Sequence, residues 1–164
     1  MQKALLCLLS LVLIFSTGCL KKNAGCSYSI SNTIAPSSEQ TDLSNYLSTN
    51  SITNATKYTN GMYYQIITQG SGSSPNLCSQ LTVNYTGQLT NGNTFDSQTG
   101  IKLTLGALIE GWKTGLPLIQ KGGHIKLYIP PSLGYGSADV KDGSTVIIPA
   151  NSILIFDISL MDFN

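Results

Sequence analysis

The chain has 164 residues, a length that suits one ordinary domain with a leader and a connecting segment but not two sizeable cores. Nine lysines and no arginine stand against eight acidic residues, and charged residues make up only 10% of the chain. This sparse and balanced charge argues against nucleic acid as a partner, because phosphate binding requires clustered basic side chains.

The first residues have the features of an export leader. Lys3 supplies the positive start, residues 4–15 are almost wholly apolar, and small residues occupy 16–18. The apolar run is too short to span a bilayer as a permanent helix. We therefore expect residues 1–18 to be a signal peptide that is removed during export.

The sequence Ser16-Thr17-Gly18-Cys19 resembles a bacterial lipobox, in which the leader is cut before the cysteine and the thiol carries diacylglycerol. Ser16 stands where the pattern usually has an aliphatic residue, and the alternative is ordinary secretion with cleavage nearby. The resemblance predicts that Cys19 anchors the chain to a lipid bilayer of the bacterial cell envelope. Leu20, in place of an aspartate, favours the outer membrane, with the domain in the periplasm or at the cell surface.

Export also changes the interpretation of the four cysteines. Cys7 leaves with the leader and Cys19 takes the lipid. Cys26 and Cys78 then remain in an oxidising compartment, which predicts a disulfide between them, the alternative being two free buried thiols. A metal site would need more ligands than this pair and the single histidine, His124, can offer. We expect no metal and no cofactor.

Much of residues 19–60 consists of Ser, Thr and Asn with scattered apolar residues, a composition typical of a tether rather than a core. Leu43, Tyr46 and Leu47 recur at helical spacing within it. They predict a short helix, capped by the polar residues 41–42, that packs on the following domain. The alternative is a few apolar residues in a disordered linker.

From residue 61 to 164 the hydrophobic pattern changes to the period of two that is typical of strands. Strands are predicted at residues 62–68, 81–89, 101–105, 125–129 and 152–163. Asn91-Gly92 suits the two positive-φ positions of a tight hairpin turn. One short helix is predicted at 110–116, ended by Pro117. The pattern therefore predicts an α+β domain, an antiparallel sheet whose apolar face is covered by one helix.

Several kinds of catalytic site can be excluded from the sequence. No hydrolytic triad can be assembled, because the only histidine, His124, falls on the polar side of its predicted strand with Lys126 and Tyr128. We expect His124 to be a solvated strand residue. The sequence has no phosphate loop, zinc spacing or nucleophile elbow. What remains is a set of aromatic and aliphatic residues at strand ends, with the carboxylate of Asp96 among them.

Five segments carry a more specific signal. They are 64–72 (YQIITQGSG), 83–97 (VNYTGQLTNGNTFDS), 105–112 (LGALIEGW), 129–136 (IPPSLGYG) and 147–157 (IIPANSILIFD). In this order they resemble the motifs of the FKBP-type peptidyl-prolyl cis/trans isomerases. The similarity runs from about residue 62 to the end of the chain and assigns residues 61–164 to such a domain.

The resemblance implies a half-open antiparallel sheet of five or six strands curled around one short helix, with an apolar site between them. Trp112 would form the floor on which a proline ring lies. The walls would be formed by Tyr85, Phe95, Leu108, Ile109, Ile148 and Phe156. Tyr135 would direct its hydroxyl, and Ile109 its backbone N–H, at substrate carbonyls, while Asp96 would lie at the rim.

The resemblance also implies a function, with Asp96 and Tyr135 as catalytic residues and no covalent intermediate. We expect a monomer that isomerises proline-containing polypeptides, assists the folding of exported proteins and binds macrolide inhibitors. The alternative is a non-catalytic module of the same fold that holds proline-containing segments.

Ile101 and Leu103 stand where the family often has phenylalanines, and the predicted short loop from Asp96 to Ile101 lacks an arginine that some members carry. These departures bear on substrate preference and inhibitor affinity.

Overall fold

The computed structural model describes residues 25–164, so the predicted leader and Cys19 lie outside the described residues. The helices are α1 (Ser37–Thr49) and α2 (Glu110–Gly115). The strands are β1 (Thr56–Lys57), β2 (Tyr63–Thr68), β3 (Gln80–Leu89), β4 (Thr94–Thr104), β5 (His124–Ile129), β6 (Val140–Asp142), β7 (Thr145–Ile148) and β8 (Leu154–Phe163). Neither helix has the length and apolar content needed to cross a bilayer.

Six strands form one antiparallel sheet in the order β1-β2-β5-β8-β3-β4, and β6 and β7 form a separate hairpin. The predicted α+β fold with a sheet of five or six strands and a short helix is confirmed. The sequence pattern missed β1, β6 and β7, which have only 2, 3 and 4 residues. Such short strands are below the length at which a period of two can be recognised.

Helix α2 packs very closely on one face of the sheet. A Cβ atom at Gly111 would lie 2.4 Å from the side chain of Ile129, and one at Gly115 would lie 2.5 Å from Leu127. These two glycines therefore allow the helix backbone to approach strand β5. The helix ends where predicted, since Pro117 lies in the single 3₁₀ turn that follows it. The main core lies between α2 and the sheet.

Helix α1 covers the opposite face of the sheet, so the helix predicted from Leu43, Tyr46 and Leu47 is present and packs on the domain. The sheet therefore has helices on both faces, whereas the strand pattern predicted one covered face. Leu43 is fully buried and Leu47 is 5% exposed, and both pack with Tyr128 and Ile155. The prediction that Tyr128 lies on the polar side of its strand is therefore wrong, because α1 buries it. Fully burying one such side chain stabilises the fold by about 1.5–3 kcal/mol.

The described part of the expected tether lies on the domain. Helix α1 begins at Ser37, earlier than the predicted cap at residues 41–42, and Pro36 precedes it. Thr41 lies inside the helix, where its hydroxyl donates to the Ser37 carbonyl at 2.9 Å. Before the helix, the Ala35 N–H donates to the Asn60 carbonyl at 2.9 Å, and Ala35 is buried.

Strand β4 differs most from the sequence prediction. It runs without a break from Thr94 to Thr104, although a loop was predicted between Asp96 and Ile101. Its pairing with β3 shifts twice, so two β-bulges bend the strand without ending it. At one of them the Gly100 N–H donates to the side-chain oxygen of Asn84 at 2.7 Å. This bond satisfies a backbone donor that the irregular ladder leaves unpaired.

A disulfide joins Cys26 to Cys78, the pair that the sequence predicts, across a separation of 52 residues. Near it, the ring of Tyr28 lies over Gly106, where an added Cβ would come within 2.2 Å of the ring. The disulfide and this contact hold the start of the described chain against the segment before β3 and the turn after β4.

We expect the double substitution Cys26→Ser and Cys78→Ser to lower the free energy of unfolding. For a separation of 52 residues the loop-entropy treatment gives a loss of up to about 4 kcal/mol. Urea unfolding of the non-reduced wild-type and variant chains measures the difference, with reduced wild type as the control. Mass spectrometry that finds both thiols free to alkylate in the native, non-reduced protein would contradict the pairing.

Candidate functional site

Four aromatic rings from four different elements meet on the face of the sheet that α2 covers. Trp112 of α2 is 3% exposed, and its ring centroid lies 5.2 Å from that of Tyr85 and 5.2 Å from that of Phe156. The interplanar angles are 88° and 87°. Phe95 packs edge-on against Phe156 at 5.5 Å. Edge-to-face packing of this kind is one of the favoured arrangements of aromatic rings.

Gly87 of β3 makes this packing possible. In the register of the sheet it lies opposite Phe156 on one side and Asp96 on the other. A Cβ atom at this position would come within 2.6 Å of the Phe95 ring and 2.8 Å of the Phe156 ring. Sequence reasoning did not count Gly87 among the site residues. The available signal was a glycine inside an alternating strand, which marks a place where another group approaches the backbone closely.

A bulge in β4 explains how two successive residues contribute to the same site. Strict alternation would send Phe95 and Asp96 to opposite faces of the sheet. The pairing shifts here, because Gly87 pairs with Asp96 while Gln88 pairs with Thr94, and Phe95 is the extra residue. The Phe95 ring therefore reaches Phe156 while the Asp96 carboxylate reaches Tyr85.

The polar groups of the site lie at its edge. The Tyr85 hydroxyl donates to Oδ2 of Asp96 at 2.5 Å. Burial, followed by this hydrogen bond and the negative charge of Asp96, raises the pKa of Tyr85 far above its ordinary value. Tyr135 is 44% exposed, and burial of its hydroxyl together with the charge of Asp96 also raises its pKa. Both hydroxyls are therefore protonated at neutral pH and can donate hydrogen bonds.

The aliphatic residues predicted as walls pack on the same core. Leu108 and Ile109 are half-buried, and Ile148 is 3% exposed. Ile109 immediately precedes helix α2, and its carbonyl accepts from the Trp112 N–H at 3.0 Å. Within residues 25–164 its own N–H has no acceptor, and neither has the buried indole N–H of Trp112.

The other residues singled out from the sequence lie elsewhere. His124 is on the outer face of the sheet, where Nε2 lies 2.5 Å from Oδ1 of Asp157. Nζ of Lys126 lies 3.3 Å from the other oxygen of the same carboxylate. His124 is therefore a partly exposed residue that lies with Lys126 around the Asp157 carboxylate on the outer face of the sheet.

Comparison with known proteins is consistent with this geometry. The FKBP-type peptidyl-prolyl cis-trans isomerase family matches residues 72–161, more than half of the chain. The chain is 47% identical over 111 residues to the FKBP-type isomerase FkpA of Buchnera aphidicola subsp. Schizaphis graminum, covering 65% of this chain and 42% of that protein. It is 42% identical over 106 residues to FkpA of Escherichia coli strain K12, covering 62% and 37% respectively. The chain thus spans about two fifths of the length of these curated relatives.

Solved structures give the same result for the fold. The crystal structure of FkpA from Escherichia coli superposes with a TM-score of 0.68 at 34% identity, covering 77% of this chain and 60% of that one. The crystal structure of AtFKBP13 superposes with a TM-score of 0.61 at 28% identity, covering 67% and 98%. The family resemblance seen in the sequence is confirmed. This chain belongs to the FKBP-type peptidyl-prolyl cis-trans isomerase family.

Proposed function

We propose that this chain catalyses the cis/trans isomerisation of peptide bonds that precede proline. The observation that carries the proposal is the arrangement around Trp112, which combines perpendicular aromatic rings with hydroxyl donors at one edge. The family matched by residues 72–161, and the FkpA proteins that resemble this chain, are named for this activity.

The reaction requires no nucleophile. Rotation about the prolyl amide is opposed by resonance, with a barrier of about 18–20 kcal/mol, and takes tens to hundreds of seconds without a catalyst. Twisting the amide reduces its dipole, so an apolar surface that excludes water disfavours the planar ground state relative to the twisted state. A turnover of about 10³ per second corresponds to roughly 10⁵-fold acceleration, or about 7 kcal/mol.

The residues of the site match these requirements. In the proposed mechanism the proline ring lies on Trp112, between the rings of Tyr85, Phe95 and Phe156 and the aliphatic walls. Tyr135 and the free N–H of Ile109 donate to substrate carbonyls on either side of the twisting bond. Asp96 holds the Tyr85 hydroxyl through their 2.5 Å bond and places a negative charge at the rim. Proline-containing polypeptides are the proposed substrates, and macrolides that mimic the prolyl segment are proposed inhibitors.

We expect the site residues to contribute unequally to kcat/KM. Tyr135→Phe removes one neutral hydrogen bond, a loss of about 0.5–1.5 kcal/mol and therefore at most about tenfold. Phe95→Ala and Trp112→Ala should cost more, because they remove a wall or the floor and admit water. Asp96→Ala should fall between these cases. A protease-coupled assay on a short prolyl peptide measures the losses in variants whose circular dichroism is native.

Tyr28→Phe is the matched control for Tyr135→Phe, because Tyr28 is similarly exposed at 42% and its ring packs on Gly106 rather than on the aromatic rings of the site. Trp112 is the only tryptophan, so its fluorescence reports ligand binding at the site. If wild type binds a prolyl ligand by this signal but gives no acceleration over buffer, the chain is a proline-binding module and the enzyme proposal fails.

We also expect Gly87→Ala to impair activity in a chain that still folds. The added methyl group would force the rings of Phe95 and Phe156 apart, at a cost of about 1–3 kcal/mol in stability. Displacing catalytic surfaces by about 1 Å can cost up to a hundredfold in rate. Gly25→Ala, at a position with open space around it, is the control. Wild-type kcat/KM in a folded Gly87→Ala variant would show that the ring packing is not needed for catalysis.

The proposed place of action is the bacterial envelope, where the isomerase would assist the folding of exported proteins. The leader-like residues 1–18 and the lipobox resemblance ending at Cys19 support a lipid anchor. Each buried CH₂ of an acyl chain contributes about 0.8 kcal/mol, so two or three chains give stable attachment. Leu20 supports the outer membrane as the site of attachment.

We expect Cys19→Ala to block processing or to release the chain from the membrane fraction. Cys7→Ala is the matched control, because it changes a cysteine in the apolar part of the leader and should leave attachment unchanged. Fractionation and metabolic labelling with a fatty acid measure the two effects. Unchanged membrane partition of the Cys19→Ala chain would rule out the anchor.

A further inference from the structure

The loop that carries Tyr135 is organised around one carbonyl group. The Pro131 carbonyl accepts from the N–H groups of Gly134 and Gly136, each at 2.9 Å, and these two glycines flank Tyr135. Leu133 is 1% exposed and fixes the preceding turn in the core. The Tyr135 side chain itself is 44% exposed. Its position therefore depends on how residues 131–134 are attached to the rest of the domain.

One of these attachments comes from helix α1, far away in the sequence. The Ser132 N–H donates to Oε2 of Glu39 at 2.9 Å in a part-buried position, across 93 residues. Pro131 has no N–H, so Ser132 carries the first donor of this turn. Hydrogen bonds from an N–H to a carboxylate are stronger than those to a neutral acceptor.

The helix that presents Glu39 is itself fixed. Leu43 follows Glu39 by one turn on the same helix face, and it is fully buried against the outer face of the sheet with Leu47. The loop is also joined to the segment after the site wall at Ile148, because the Asn151 N–H donates to the Gly136 carbonyl at 2.9 Å. A rigid helix outside the matched family region therefore holds one end of the Tyr135 loop.

We propose that Glu39 is a positioning residue for Tyr135. By accepting the Ser132 N–H it fixes residues 131–134, and through them the direction in which Tyr135 presents its hydroxyl to the substrate. This inference rests on the proposed function of Tyr135 as a hydrogen-bond donor in prolyl isomerisation. It assigns the N-terminal helix a role in the site in addition to covering the sheet.

The proposal is tested in the full chain by measuring kcat/KM for single and double variants at Glu39 and Tyr135. Glu39→Ala should lower kcat/KM by between about twofold and tenfold, the range of one hydrogen bond. Glu39→Gln keeps an acceptor oxygen but loses the charge, so its loss should be clearly smaller than that of Glu39→Ala. Asp42→Ala, an exposed acidic position on the same helix, should have no effect. In a Tyr135→Phe chain, Glu39→Ala should cause no further loss, because the hydroxyl that it positions is absent.

Amide hydrogen exchange gives a second readout that does not require activity. The N–H groups of Gly134 and Gly136 should exchange faster in Glu39→Ala than in Asp42→Ala, and Glu39→Gln should restore slow exchange. Unchanged exchange in Glu39→Ala would overturn the proposal. The proposal would also be overturned if the fold-losses in kcat/KM of Glu39→Ala and Tyr135→Phe multiply in the double variant, because independent residues behave in this way. If wild type has no isomerase activity but the loop amides respond as expected, the positioning of the loop stands and the proposed function fails.

Discussion

The perpendicular packing of Trp112 against Tyr85 and Phe156 is the constraint on which the site depends. The Phe156 ring can take this position only because β3 has no side chain at Gly87, where a Cβ atom would lie 2.8 Å from that ring and 2.6 Å from the ring of Phe95. Helix α2 must also lie close enough to the sheet for its tryptophan to reach them. Gly111 and Gly115 permit that approach, so three glycines and three rings together set the shape of the site.

The two faces of the sheet carry different parts of the molecule. The face under α2 carries the aromatic floor and the hydroxyl groups of Tyr85 and Tyr135, of which the first donates to Asp96 and the second belongs to a side chain that is 44% exposed. The opposite face carries α1, which buries two leucines and provides Glu39 to the loop of Tyr135. The N-terminal segment, the outer face and the site loop are thereby linked by direct contacts. Under the proposed role of Glu39, a change in how α1 is held would alter the position of Tyr135.

The hydrophobic alternation of the strands and the order of the motifs were enough to predict the fold, because both can be recognised in short stretches of the sequence. Three features depend on contacts between segments that are distant in the sequence, so local patterns could not predict them. The bulge at Phe95 arises only when β4 pairs with β3. The burial of Tyr128 requires α1; Leu43 and Leu47 predicted a helix packed on the domain, but the local sequence does not show which face of the sheet it covers. The bond from Ser132 to Glu39 joins residues with no local relation. The proposed roles of Trp112 and Tyr135, in contrast, follow from short motifs in the sequence and remain predictions.

The most direct test of the account is two-dimensional proton exchange spectroscopy of a short prolyl peptide with a substoichiometric amount of the chain. Without a catalyst each peptide bond changes isomer about once in tens to hundreds of seconds, too slowly to give exchange cross-peaks. The account expects cross-peaks between cis and trans signals, with the fraction of cis peptide unchanged, because a catalyst accelerates both directions equally. Line broadening or a shifted cis fraction without exchange cross-peaks would show binding alone and would contradict the account.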